Sequence, residues 1–255
     1  MSETALVLAA ALIGGFLDAS VGGGGLVLVP ALFAAFPSAP HAELLGTNKF
    51  AASTGLSQAV VRYARQLDIP WQLAKPLAIG AFSAGLLGAS VARWVPSSTF
   101  RLLVPIMLSV MLIYIIAHRQ FGLTHHLRDY TAADRRIAWT IGIVMGFYDG
   151  FFGPGAGAVL MVLFVRYFAC DLLYAGALAR ITNFAACSAA LLVFALHGEV
   201  RWLLALALAA SSTIGAWAGS RVALRQGAVW LRKMFIGITV LLIIKTAWDA
   251  LRTST

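Results

Sequence analysis

Apolar residues along the chain fall into ten runs, at 5–17, 26–36, 44–61, 76–92, 102–117, 137–148, 158–169, 172–196, 202–219 and 234–248. A helix that crosses a bilayer needs about 20 mostly apolar residues, a length most of these runs approach once their amphipathic ends are counted. Four do not. The runs 5–17, 26–36, 137–148 and 158–169 are half-length, and they come as two pairs, each split by a glycine-rich break that contains an aspartate. None of the runs alternates apolar and polar residues as the strands of a membrane barrel do. The pattern therefore predicts an all-α protein with two broken helix pairs, 5–36 and 137–169. Spanning helices are predicted near 44–63, 71–92, 100–117, 172–196, 200–221 and 230–250.

The two breaks are related to each other. Gly15-Phe16-Leu17-Asp18-Ala19-Ser20-Val21-Gly22-Gly23-Gly24 aligns with Gly146-Phe147-Tyr148-Asp149-Gly150-Phe151-Phe152-Gly153-Pro154-Gly155 at an offset of 131 residues. The same offset brings Asp68-Ile69-Pro70-Trp71 onto Glu199-Val200-Arg201-Trp202 and Arg101 onto Arg232, and short gaps bring Thr47-Asn48 onto Thr182-Asn183. The chain therefore reads as a first repeat, 1–120, a linker, 121–132, and a second repeat, 133–255. His118, His125 and His126 lie in or beside the linker without metal-ligand spacing, so that segment reads as a solvated loop. Neither a metal nor a cofactor is expected.

Composition turns this pattern into a location. Charged residues make up 11% of the chain and apolar residues 60%, with a mean hydropathy of +0.86, whereas soluble domains carry about 25% charged residues. Soluble enzymes and nucleic-acid modules are excluded, and the lipid bilayer is the expected partner. Lys+Arg number 19 against 10 Asp+Glu, and the basic residues lie mostly between apolar runs, where they report orientation. If each broken pair enters and leaves on one side, each half has three crossings and the second half is inverted. The far side then holds Lys49, Arg93, Arg101, Arg201, Lys245 and Arg252, leaving 13 of the 19 on the side of the linker. If each pair crosses once, the split is 10 to 9. The positive-inside rule thus favours two inverted-topology repeats, with a cytoplasmic linker and both termini outside.

Irregular backbone at membrane depth must be buried in protein or line a wet cavity. Gly22, Gly23, Gly24 and Gly25 in one half, and Gly153, Gly155 and Gly157 in the other, leave bare N–H groups just before a new helix. A helix N-terminus carries unpaired donors and about half a positive charge. Two such ends meeting at a pseudo-two-fold form an anion site, an arrangement known in secondary transporters. Thr47, Asn48 and Lys49, with Arg180, Thr182 and Asn183, form a second polar layer beside the breaks. Lys49 and Arg180 can face the substrate or snorkel to the headgroups. Asp18 and Asp149 read as scaffold that accepts loop N–H bonds, in preference to a coupling role, because a carboxylate in direct contact would oppose an anion. Gly24→Leu or Gly155→Leu is expected to block such a site in a folded protein.

The Gly-Phe-x-Asp element with its glycine run and Pro30, Leu45-Gly46-Thr47-Asn48-Lys49, and the segment Gly146–Gly155 together resemble the TauE/SafE sulfite-exporter-type permease family (TSUP). The resemblance covers almost the whole chain. It departs in a first glycine run of four rather than five and in Arg180, where many relatives carry Lys. It implies a permease of the bacterial inner membrane that exports sulfite or an organosulfonate, with a small anion as substrate. A channel and a non-transporting receptor or structural subunit are the alternatives. No enzyme motif such as His-Glu-x-x-His or Gly-x-Ser-x-Gly is present. Gly80, Ala84 and Gly88 permit close helix contact, either within one chain or across a homodimer.

Overall fold

The computed structural model describes residues 3–96 and 130–253, with residues 98, 99, 106 and 110 between them. The spanning helix predicted near 100–117 and the linker at 121–132 lie outside the described residues, apart from residues 106, 110 and 130–132. The described chain is all-α, with no strand among the described residues. Its helices are α1 (Glu3–Ser20), α2 (Gly25–Ala35), α3 (His41–Gln66) and α4 (Trp71–Trp94). They are followed by α5 (Ala132–Phe151), α6 (Ala156–Phe168), α7 (Leu172–Leu196) and α8 (Trp202–Thr253). Helix α8 is interrupted at Gly227, whose φ of 71° is not helical.

Among the described residues, four helical segments, α1, α4, α7 and Trp202–Gly227, are long and apolar enough to cross a bilayer, while α2 and α6 are short and apolar. The distribution of polarity supports the same reading. Leu203 is 87% exposed and Trp94 83% exposed, whereas Lys49 and Arg180 are each 1% exposed. Large apolar side chains outside and cations inside suit a lipid solvent, where ionisable groups face the interior of the bundle.

The first member of each broken pair is longer than its apolar run. Helix α1 has 18 residues and α5 has 20. Counting apolar residues stops at Asp18, Ser20 and Asp149, but the hydrogen-bond ladder continues through them. Helix α2, with 11 residues, spans about 16 Å at 1.5 Å per residue and is the true half-helix of its pair. It folds back along α1: Val7, Ala10 and Ala11 cluster with Leu28, Leu32 and Ala35. Helix α5 starts with a reciprocal cap, in which Thr131 Oγ1 accepts from the Asp134 N–H and Asp134 Oδ2 accepts from the Thr131 N–H. Thr131→Ala should cost about 1 kcal/mol, measured as a lowered unfolding midpoint in detergent.

Adding 131 to the first residues of α2, α3 and α4 gives the first residues of α6, α7 and α8. Packing between the two sets is reciprocal. Helix α1 lies against α8 and α4 against α5, while α3 packs on α8 and α4 on α7; α3 and α7 meet each other. The reciprocity extends to residue pairs. A Cβ added at Gly88 would stand 2.2 Å from the Phe147 carbonyl oxygen, and one at Gly219 would stand 2.2 Å from that of Phe16. Gly219 and Phe16 are the 131-offset counterparts of Gly88 and Phe147. A two-fold relation produces such pairs, as in an isologous interface. Glycine is needed there because the backbones touch, which is how small residues drive helix association in membranes. The Gly80 and Gly88 contacts are therefore made inside the chain, with α5.

The common offset also revises one alignment. Helices α3 and α7 both start in step at 131, without a gap, so Lys49 corresponds to Arg180, Ala52 to Asn183 and Asn48 to Ala179. Thr47-Asn48 and Thr182-Asn183 are similar in sequence but occupy different turns.

Candidate functional site

Chain reversal at the end of α1 leaves its last carbonyls without helical partners. The Leu17 carbonyl takes the Val21 and Gly22 N–H groups. Gly22 has φ 81° and its counterpart Gly153 has φ 102°, left-handed values that glycine adopts without a Cβ penalty. The two breaks then meet backbone to backbone. A Cβ at Gly22 would lie 2.5 Å from the Gly157 carbonyl carbon, and one at Gly25 would lie 3.0 Å from the Pro154 Cα. Tyr148 Oη donates to the Pro154 carbonyl at 2.7 Å and holds the second break in place.

The cations cap the opposite half. Lys49 of α3 donates from Nζ to the Asp149 carbonyl, near the C-terminus of α5, and to Asp149 Oδ1 at 2.9 Å. Arg180 of α7 donates from Nε to the Ala19 carbonyl, near the C-terminus of α1, at 3.0 Å. It also donates from Nη1 to the Gly176 carbonyl and lies over the Tyr63 ring, 4.9 Å from its centroid. Both cations meet the negative end of a helix dipole and a carbonyl that the break has freed. Neither snorkels to a headgroup.

The aspartates diverge. Asp149 is held by Lys49 and accepts the Cys187 thiol at 3.4 Å. Asp18 Oδ1 accepts the Gly24 N–H at 2.8 Å, at the N-terminus of α2. It has no ion pair among the described residues.

A cavity of about 20 Å³ sits where these elements converge, room for about one water. Of the residues singled out in the sequence, Gly22, Gly24, Gly25, Asn48, Lys49, Gly153, Gly155, Gly157 and Asn183 line it, as do Asp18 and Asp149. Gly23, Thr47, Arg180 and Thr182 do not. Thr47 Oγ1 donates to the Glu43 carbonyl and accepts the Arg201 N–H, and Thr182 Oγ1 donates to the Leu178 carbonyl within its own helix. Arg180 lies beside the cavity with Nη2 buried and unpartnered, as is Asn183 Oδ1. Cys187 and Ser212 line the cavity too. Neither stood out as a candidate, although the run Ser211-Ser212-Thr213 inside an apolar span was a visible signal.

The geometry also corrects the proposed glycine block. A Cβ at Gly24 would stand 2.2 Å from the Gly14 carbonyl oxygen and 2.6 Å from Asp18 Cγ. Leucine there would force α1 and α2 apart, so the variant would not separate site blockage from misfolding.

Residues 7–246 match the family described as "Sulfite exporter TauE/SafE". The chain is 32% identical over 249 residues to "Probable membrane transporter protein ORF9" of Sinorhizobium, covering 96% of this chain and 92% of that protein. It is 30% identical over 240 residues to "Probable membrane transporter protein YfcA" of Escherichia coli K12, covering 94% and 88%. A "Probable membrane transporter protein" of Haemophilus influenzae is 28% identical over 249 residues, covering 96% and 94%. No solved structure matches the chain significantly.

Proposed function

The chain belongs to the TauE/SafE family of multi-pass membrane transporters, and on that premise we propose that it carries sulfite or an organosulfonate out across the bacterial inner membrane. The observation behind this reading is the backbone crossing of the two glycine breaks, with Lys49, Asn48 and Asn183 around it. Sulfite and sulfonates present three oxygens in a compact head, which suits N–H groups at helix N-termini and amide donors from two asparagines. A cavity of about 20 Å³ is too small for such a head, so the elements around it part to admit the anion. Alternating access follows, with one repeat rocking against the other about the crossing. The reciprocal packing suits a pseudo-two-fold. Together with the distribution of basic residues, it supports inverted repeats, a cytoplasmic linker and external termini. With the inside negative, outward movement of an anion is favoured by about 2.3 kcal/mol per charge per 100 mV.

The test is flux of radiolabelled sulfite in proteoliposomes of the purified chain, with methanesulfonate, sulfoacetate, sulfate and chloride as competitors. Saturable counterflow that sulfonates inhibit is the expected result. Asn48→Leu and Asn183→Leu, which fill the cavity from helices without touching the crossing, should each cut that flux at least about tenfold, equivalent to about 1.4 kcal/mol of lost binding. Undiminished flux in both variants would remove the cavity from the substrate path. Flux without saturation or counterflow would indicate a channel, and binding without flux a receptor.

A further inference from the structure

Duplication ought to give two equivalent ion pairs at the centre, and among the described residues it gives one. Lys49 corresponds to Arg180 and Asp149 to Asp18 at the common offset of 131. Lys49 pairs with Asp149 at 2.9 Å. Arg180 instead spends Nε on the Ala19 carbonyl and Nη1 on the Gly176 carbonyl, and Asp18 is left with the Gly24 N–H. The lining of the cavity thus contains two carboxylates and one ammonium, and Asp18 is the carboxylate without a cation.

Its position matters as much as its charge. The Gly24 N–H lies at the start of α2, so Asp18 already occupies the anion position at one of the two helix N-termini. At the other break the corresponding carboxylate, Asp149, lies beside Gly153 but is neutralised by Lys49, and no side chain among the described residues caps the start of α6. An incoming sulfur oxyanion therefore meets one favourable helix end and one guarded by a like charge. The charged groups acting on Asp18 are Asp149 from α5, Arg180 from α7 and Lys49 from α3. Helix α2 contributes the Gly24 N–H, and α8 contributes the neutral Ser212 to the cavity wall.

We propose that Asp18 carries the proton of the transport cycle: a proton from water binds the Asp18 carboxylate as the anion binds, and both leave together on the other side. Protonation removes the repelling charge and turns one carboxyl oxygen into a donor. Linkage makes the effect mutual, so the anion raises proton affinity as much as the proton raises anion affinity. One proton crosses with each anion. A monovalent sulfonate then moves without net charge, so its export runs down its own concentration gradient and is opposed by a pH gradient that is alkaline inside. Divalent sulfite keeps one negative charge and is still driven outward by the membrane potential. This inference rests on the anion-permease reading above, and it adds the coupling ion.

The experiment uses proteoliposomes of the full chain with radiolabelled methanesulfonate, a monoanion throughout the physiological pH range, and sulfite as a second probe. In the wild type, a pH gradient of one unit, alkaline inside, should raise the accumulation ratio of methanesulfonate about tenfold, the thermodynamic limit for one proton per anion. A potassium-diffusion potential should leave it unchanged. Asp18→Asn keeps an oxygen for the Gly24 N–H and mimics the protonated acid. The counterflow it retains should no longer respond to pH and should respond to potential. Counterflow that ignores the pH gradient in the wild type, or Asp18→Asn that responds to pH as the wild type does, would overturn the coupling and leave the permease standing. No wild-type counterflow of either probe would overturn both. The wild-type arm needs no variant, so a misfolded Asp18→Asn would not protect the proposal.

Discussion

Replacing Lys49 with Met should cost about 3–5 kcal/mol of stability, the usual penalty for removing one partner of a buried ion pair, and should abolish transport. Both side chains are almost wholly inside: Lys49 is 1% exposed and Asp149 3%. Met fills the volume of the lysine stem but leaves the Asp149 carboxylate without its cation and the Asp149 carbonyl without its donor. The stability change is read from the unfolding midpoint in detergent. The informative variant is the double one. Lys49→Met with Asp149→Asn removes the stranded charge, so most of the lost stability should return, giving a coupling of about 0.5–3 kcal/mol or more across the cycle. Transport should not return, because the ammonium on the cavity wall is still missing. A double variant with wild-type flux would make Lys49 a purely structural cap and remove it from the site.

That pair also marks where reading the sequence stopped. The repeat was visible because Asp18 and Asp149 lie in aligned, glycine-rich segments, and the helix order followed from run lengths. The pairing of Lys49 with Asp149 joins residues 100 positions apart. Nothing local in either segment announces it, so the sequence leaves snorkelling open for Lys49, and the packing of α3 in the interior excludes it. An apolar count makes α1 and α5 half-length because it treats Asp18 and Asp149 as ends, whereas a buried, partnered carboxylate continues a helix. The gapped match of Thr47-Asn48 with Thr182-Asn183 weighted residue identity above phase. The unbroken offset instead makes Arg180 the counterpart of Lys49. That one correspondence shows that, among the described residues, the second ion pair is missing and Asp18 has no cation.

The crossing itself can be tested by a graded set of alanines. Gly198 has φ 73° with nothing within 4 Å of an added Cβ, so Gly198→Ala should show only left-handed backbone strain, about 1–2 kcal/mol. Gly157 is absent from the positive-φ glycines, but its Cβ would stand 2.8 Å from the Gly22 Cα. Gly157→Ala should therefore show overpacking of about 1–3 kcal/mol, partly offset by the better helix propensity of alanine in α6. Gly22 combines both conditions, with φ 81° and a Cβ that would meet the Gly157 carbonyl carbon at 2.5 Å. Gly22→Ala should thus lose about 2–5 kcal/mol as the sum of the two terms. Its unfolding midpoint should fall furthest, and it should carry no sulfite. Gly157→Ala is the variant expected to remain folded while losing flux, because it wedges apart the two backbones about which the proposed rocking would turn. If Gly22→Ala unfolds with the midpoint of Gly198→Ala while Gly157→Ala unfolds with that of the wild type, strain alone accounts for Gly22. The two breaks would then not be in contact, and the anion site would have to be sought away from their crossing.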